Sequence, residues 1–152
     1  MERFRPTTTR SLCFVVCCLF ATTGVAAERQ KSVGDIVVNI GVVPASRAFQ
    51  FEAERSIHGK TLPSGAQHLT VSLSDAKTGA HIAAADVSAE IKDPKGKIQK
   101  KNLLPASTAG AADYSEVFSF GWSGTYKIRL TITPKGSKKP LKATFTWIHA
   151  IE

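Results

Sequence analysis

The feature that most constrains this chain is the stretch Gln67 to Lys92, QHLTVSLSDAKTGAHIAAADVSAEIK. In its first half Leu69, Val71 and Leu73 alternate with His68, Thr70, Ser72 and Ser74; in its second, Val87, Ala89 and Ile91 alternate with Ser88, Glu90 and Lys92. A period of two places each apolar set on one face of a strand and leaves the other face wet. Between them Asp75-Ala-Lys-Thr-Gly79 has turn chemistry, with an Asx-type start and a glycine free to take positive φ. The stretch reads as a hairpin. A lone hairpin is marginal in water, so its apolar faces must meet another sheet.

The same pattern recurs along the chain. Asp35 to Val43 is rich in β-branched residues and apolar on both phases, the pattern of a strand covered on two sides, and it stops at Pro44. Ala48 to Glu52 resumes alternation with Phe49 and Phe51 on one face, and the segment from Glu54 to Ala66 reads as an exposed loop. Asp93-Pro-Lys-Gly96 is a type I turn into the basic strand KIQKKNLL. Asp113 to Phe120 carries three aromatic residues, and Gly121-Trp-Ser-Gly124 reads as a hairpin turn into Thr125 to Pro134. Leu141, Ala143, Phe145, Trp147, His149 and Ile151 share one phase of the closing strand, which puts His149 on an aromatic face. About seven or eight short strands with no helical periodicity predict an all-β chain, an immunoglobulin-like antiparallel β-sandwich.

Residues 1–27 stand apart from that domain. Arg3, Arg5 and Arg10 precede an apolar run from Leu12 to Ala21 and a small-residue end, TTGVAA, which are the three parts of a secretory signal cleaved after Ala27. The apolar run is shorter than the ~20 residues of a spanning helix, so no transmembrane segment is expected once the signal is removed. Cys13, Cys17 and Cys18 all lie within it. The remaining domain, residues 28–152, therefore has neither disulfide nor thiolate ligand, although it is expected in the periplasm or outside the cell, where disulfides form. It must hold itself by its core, which is feasible for about 125 residues.

The whole chain carries a net charge of +8, with 20 Lys and Arg against 12 Asp and Glu. In an exported protein this favours an envelope protein or an anionic envelope component as partner, not nucleic acid. Two basic connections stand out, one with Lys95, Lys97, Lys100 and Lys101 and one with Lys135, Lys138, Lys139 and Lys142. Lys97, Lys100 and Lys101 are the candidate partner-binding residues; as solvated lysines they also protect a sheet edge from pairing. No catalytic residue is expected, because GWSG lacks the glycine spacing of a nucleophile elbow and Asp75, His81 and Asp86 have ordinary turn and edge roles. Nor is there a glycine loop for a nucleotide cofactor.

Histidine remains as the side chain able to carry site chemistry. The chain has four: His58 in the loop, His68 opening a strand, His81 after a turn and His149. None has a close ligand spacing such as H-x-H, so the ligands of any metal would have to converge through the fold.

Gly41-Val-Val-Pro44, His58-Gly59, the run from His68 to Gly79, Ala85-Asp-Val87, Leu104-Pro105, Tyr114 with Phe118, and Gly124-Thr-Tyr126 together resemble small exported bacterial proteins of the YtkA-like and FixH-like kind. The resemblance spans most of the chain after the signal. It implies an immunoglobulin-like sandwich met beside metal-handling systems, with a His-Gly in the loop, a His opening the next strand and a methionine after Leu-Pro. Here that last position is Ala106, and Met1 is the single methionine, so the sulfur ligand of a copper(I) site is missing. The expectation is thus a non-catalytic binding or accessory domain of the cell envelope. The alternative is a copper(II) or zinc protein using His58 and His68, with His149, Glu54 or water as a third ligand.

Overall fold

The computed structural model describes residues 28–48, 62–108 and 111–151. The elements are β1 (Gln30–Val33), β2 (Ile36–Pro44), a single helical turn α1 (Ala45–Ala48), β3 (Ala66–Asp75), β4 (Ala85–Lys92), β5 (Ile98–Thr108), β6 (Ala111–Ser119), β7 (Gly124–Pro134) and β8 (Leu141–His149). The eight strands form one sheet in the order β1-β2-β3-β6-β5-β4-β7-β8, antiparallel throughout. The sheet curls until its two ends approach. The Arg29 guanidinium, just ahead of β1, lies 5.7 Å from the centroid of the Trp147 ring on β8, and Lys31 Nζ lies 5.6 Å from that of Phe145. The all-β, antiparallel expectation holds, and the shape is nearly a barrel; the pairing does not single out an immunoglobulin-like sandwich. The proposed signal, residues 1–27, lies outside the described residues, and among these no helix is long and apolar enough to cross a membrane.

Alternation puts the core where the pattern placed it. Leu69, Val71 and Leu73 of β3, Ala89 and Ile91 of β4, Ile128, Leu130 and Ile132 of β7 and Phe145 of β8 have no exposed surface. Burying a side chain of this size stabilises by roughly 1.5–3 kcal/mol, so one continuous cluster replaces the disulfides the domain lacks. β2 differs from expectation, because it buries Ile36, Val38, Ile40 and Val42 while Val37, Asn39 and Gly41 stay half-buried. Its neighbours lie alongside it in the sheet, and its outer face is only partly covered.

The stretch Gln67 to Lys92 is not a hairpin. β3 pairs with β2 and β6, whereas β4 pairs with β5 and β7. The two apolar faces meet across the core instead of lying edge to edge, so the segment between them crosses from one wall to the other. Its turn chemistry is as expected: Asp75 Oδ1 accepts from the backbone N of Lys77 (3.0 Å) and Thr78 (2.8 Å), and Gly79 takes φ 71°. These bonds hold the Asp75 carboxyl below its ordinary pKa. The crossing is anchored by Tyr114, whose buried hydroxyl accepts from Ala85 N at 2.9 Å; burial pushes its pKa up.

Gly121-Trp-Ser-Gly124 is not a hairpin turn either, since β6 and β7 belong to different walls. It is a corner closed by Tyr126, whose hydroxyl donates to Trp122 O at 2.9 Å and accepts from Trp122 N at 3.1 Å. The true hairpin is β4–β5, turned by Asp93-Pro-Lys-Gly96, where Gly96 N donates to Asp93 O at 3.0 Å and Gly96 takes φ 88°. Ala48 ends the helical turn and begins no strand; Phe49 and Phe51 lie outside the described residues.

β5 changes walls along its length. Ile98–Leu103 pair with β4, and Leu104–Thr108 pair with β6. Beyond Ser115 the backbone of β6 consequently loses its neighbour on that side, and side chains of β5 take over. Gln99 receives Ser119 N on Oε1 (3.0 Å) and donates Nε2 to Ser119 O (2.8 Å), reproducing with one amide the bond pair of a β-bridge. Two residues on, Lys101 Nζ donates to Val117 O at 2.6 Å.

Candidate functional site

His68 stands near the start of β3, on the outward phase between the buried Gln67 and Leu69. Its register partners are Val43 of β2 and Val117 of β6, and Nδ1 lies 3.4 Å from Thr70 Oγ1. The ring is half-buried on a wall, shielded by strands on both sides yet reachable from solvent. His58 and Glu54 lie outside the described residues. His149 is on the other side of that wall, edge-on to the rings of Phe120 (5.6 Å) and Tyr126 (6.0 Å), both fully buried. The aromatic surroundings expected for His149 are present, and His68 and His149 are not brought together. Exposed His81 bridges Ser74. Among the described residues no three His, Cys, Asp or Glu side chains converge as a metal cage.

The lysines of the β4–β5 hairpin divide. Lys97 is exposed at the turn, with its backbone N bonded to Asp93 Oδ1. Lys100 projects outward opposite Glu90, which is itself paired with Arg129. Lys101 belongs to the fold, because its ammonium caps Val117 O and lies 3.4 Å from Glu116 Oε1. It resembled its neighbours in sequence only because the loss of β6's strand neighbour is a tertiary event.

A cleft of about 470 Å³ opens at the mouth of the barrel where β2 ends, β3 begins and β8 closes. Arg47 stands at its rim, Gln67, Phe120 and His149 line its interior, and Trp147 forms a side. Gly65 lets the backbone close up here. At φ 66°, it bonds Phe120 N through its carbonyl at 2.8 Å, and a Cβ would stand 2.6 Å from Phe120 O. Gln67 is the unusual residue: it is on the inward phase with Leu69, Val71 and Leu73 and only 8% exposed. Neither Gln67 nor Arg47 was expected as a site residue. The signal for the first was present, since a polar residue occupied the apolar phase of a cleanly alternating strand.

The chain matches no protein-family model and no curated protein. Its fold is shared with solved structures. FetP from uropathogenic Escherichia coli superposes with a TM-score of 0.64 at 14% identity, over 81% of this chain and 93% of that one. Copper-reconstituted P19 from Campylobacter jejuni gives 0.62 at 14% identity, over 81% and 94%, and FetP is also known as a copper-bound variant. A DUF4426 family protein from Pseudomonas aeruginosa gives 0.62 at 18% identity, over 80% and 96%. At these identities the likeness is one of fold: an eight-stranded antiparallel sheet curled nearly into a barrel.

Proposed function

We propose that this is an exported, non-catalytic binding protein of the bacterial cell envelope whose cargo is copper(II) or zinc, held by His68 together with His58. The observation that carries the reading is His68 itself: a half-buried imidazole fixed between two strands, ten residues after the His-Gly of the preceding segment, on a fold shared with proteins solved with copper bound. Imidazole suits both metals, and the lack of any methionine beyond Met1 turns the site away from copper(I). Two histidines make a partial set. Water or a carboxylate completes the coordination, and His149, across the wall, is set aside as third ligand.

The finer reading of the fold goes with this proposal. Without β1, the neighbours β2-β3-β6-β5 and β4-β7-β8 correspond to the ABED and CFG sheets of an immunoglobulin-like sandwich, with β5 switching between them. The Tyr126 corner at the start of β7 is also in the place where that fold carries a tyrosine corner. Export to the periplasm rests on the signal in residues 1–27.

Calorimetric titration of the purified protein with copper(II) and with zinc tests the function. Binding is expected at sub-micromolar Kd, weakened at least ~100-fold in His68→Ala and in His58→Ala, each of which removes one of the two imidazole ligands. Affinity should also fall as pH drops through ~6.5, where imidazole takes up a proton and can no longer donate to a metal. Absence of binding, or binding unchanged in both variants, would refute the assignment.

A further inference from the structure

We infer that the outer face of the β5-β4-β7-β8 wall, at the end that carries Trp122, is a membrane-binding surface, and that its partner is an anionic lipid bilayer. It stands apart from the metal reading. The strand register puts Ile98 of β5, Lys92 of β4, Lys127 of β7 and Thr146 of β8 in one row across that face, and all four side chains are exposed. Like charges directly opposite one another on adjacent strands destabilise a sheet. Neither Lys92 nor Lys127 forms an ion pair with a described residue. The next row along is different, since there Glu90 stands between Lys100 and Arg129 and is paired with the arginine. A flat row of unneutralised lysines suits a flat sheet of negative charge outside the protein.

The surroundings select lipid over a soluble polyanion. Ile98, Trp122 and Ile148 are large apolar side chains, all exposed, and they lie at this same end: Ile148 is opposite Thr125 at the start of β7, and Trp122 is in the corner just before it. The β4–β5 turn brings two more exposed lysines, Lys95 and Lys97. Lys95 Nζ sits 3.0 Å from the centroid of the Trp122 ring. The carboxylate of that turn, Asp93, is buried, and its Oδ1 is taken up by the backbone N of Lys95 (2.9 Å) and of Lys97 (2.8 Å). Lysine set among tryptophan and isoleucine has the make-up of an interfacial anchor: the indole rests at the headgroups, the aliphatic side chains enter the acyl boundary, and the ammoniums meet anionic lipid. A soluble polyanion would use the lysines and have no need of the apolar side chains. Each lysine brought to an anionic bilayer tightens binding about 5-fold.

The protein, recovered without residues 1–27, is mixed at low salt with vesicles of phosphatidylcholine alone or of equal parts phosphatidylcholine and phosphatidylglycerol. Co-sedimentation reads binding, and tryptophan emission reads insertion. The mixed vesicles should bind the protein and shift its emission to the blue, and phosphatidylcholine alone should leave it free. Lys92→Gln together with Lys127→Gln should weaken binding ~10-fold or more. Lys135→Gln together with Lys138→Gln removes the same charge at the far end of the wall and should change it by less than ~2-fold, because screening confines each charge to its own neighbourhood. Trp122→Ser should abolish the blue shift and weaken binding ~10-fold. Its corner persists, because Tyr126 bonds the backbone of residue 122 and not the ring. All these side chains are exposed, and thermal melting checks that each variant stays folded. Absence of binding to the mixed vesicles would overturn the inference, as would equal weakening by the two lysine pairs. So would heparin binding that survives Trp122→Ser in a protein that ignores vesicles, which assigns the face to a soluble polyanion, or a lipid-free dimer dissolved by Trp122→Ser, which assigns it to a second copy of the chain.

Discussion

Tyr114 shows how much a single polar group contributes to this fold. Its ring is in the core and its hydroxyl, reaching the crossing between the walls, satisfies Ala85 N where β4 begins. Tyr114→Phe keeps the ring and orphans that N–H, so unfolding should become easier by about 1–2 kcal/mol near neutral pH. The pH dependence has a defined sign. The folded-state pKa is raised, so above ~10 the unfolded chain ionises this phenol first and stability is lost as pH climbs toward the folded value. Denaturant titrations should therefore show a shallower alkaline decline in Tyr114→Phe than in the wild type, and an identical decline would contradict the role given to burial. Asp75 has the opposite sense, because its depressed pKa gives a contribution present above the ordinary carboxylate range and lost as pH falls through the folded value.

Among the elements, β5 carries the least obvious work. It serves both walls, and where it leaves β6 it repairs the exposed edge with Gln99 and Lys101. Gln99→Leu should cost about 1–3 kcal/mol, since two backbone groups of Ser119 lose their partner. Amide hydrogen exchange at Ser119 should quicken while that of β4 and β7 is unchanged; equal protection at Ser119 in wild type and variant would show that the side-chain bridge is dispensable. This element also marks where sequence reading stops. Alternation in Leu69-Val71-Leu73 or Ile128-Leu130-Ile132 told which side chains enter the core, because burial on one face follows from the pleat alone. It did not tell which strand lies alongside, since hairpin and wall-to-wall crossing bury the same residues. Gly121 to Gly124 was misread for that reason, as was the link between β3 and β4. Gln99 and Lys101 looked like ordinary solvated positions because their partners are backbone groups far along the chain.

At the scale of the molecule, a sheet of eight strands curls until β1 and β8 nearly meet, with Arg29 and Lys31 set over Trp147 and Phe145 across the seam. This closure makes an inside and an outside, and it separates the histidines that sequence had grouped. His149 joins the aromatic interior near the cleft, while His68 remains on the outer wall with its neighbour Thr70. The metal reading therefore depends on the outer wall alone. Electron paramagnetic resonance of the protein loaded with one equivalent of copper(II) tests that claim most directly. A nitrogen-coupled spectrum that loses a nitrogen in His68→Ala and is unaltered in His149→Phe is the predicted result; a spectrum indifferent to His68, or one that changes with His149, would contradict it.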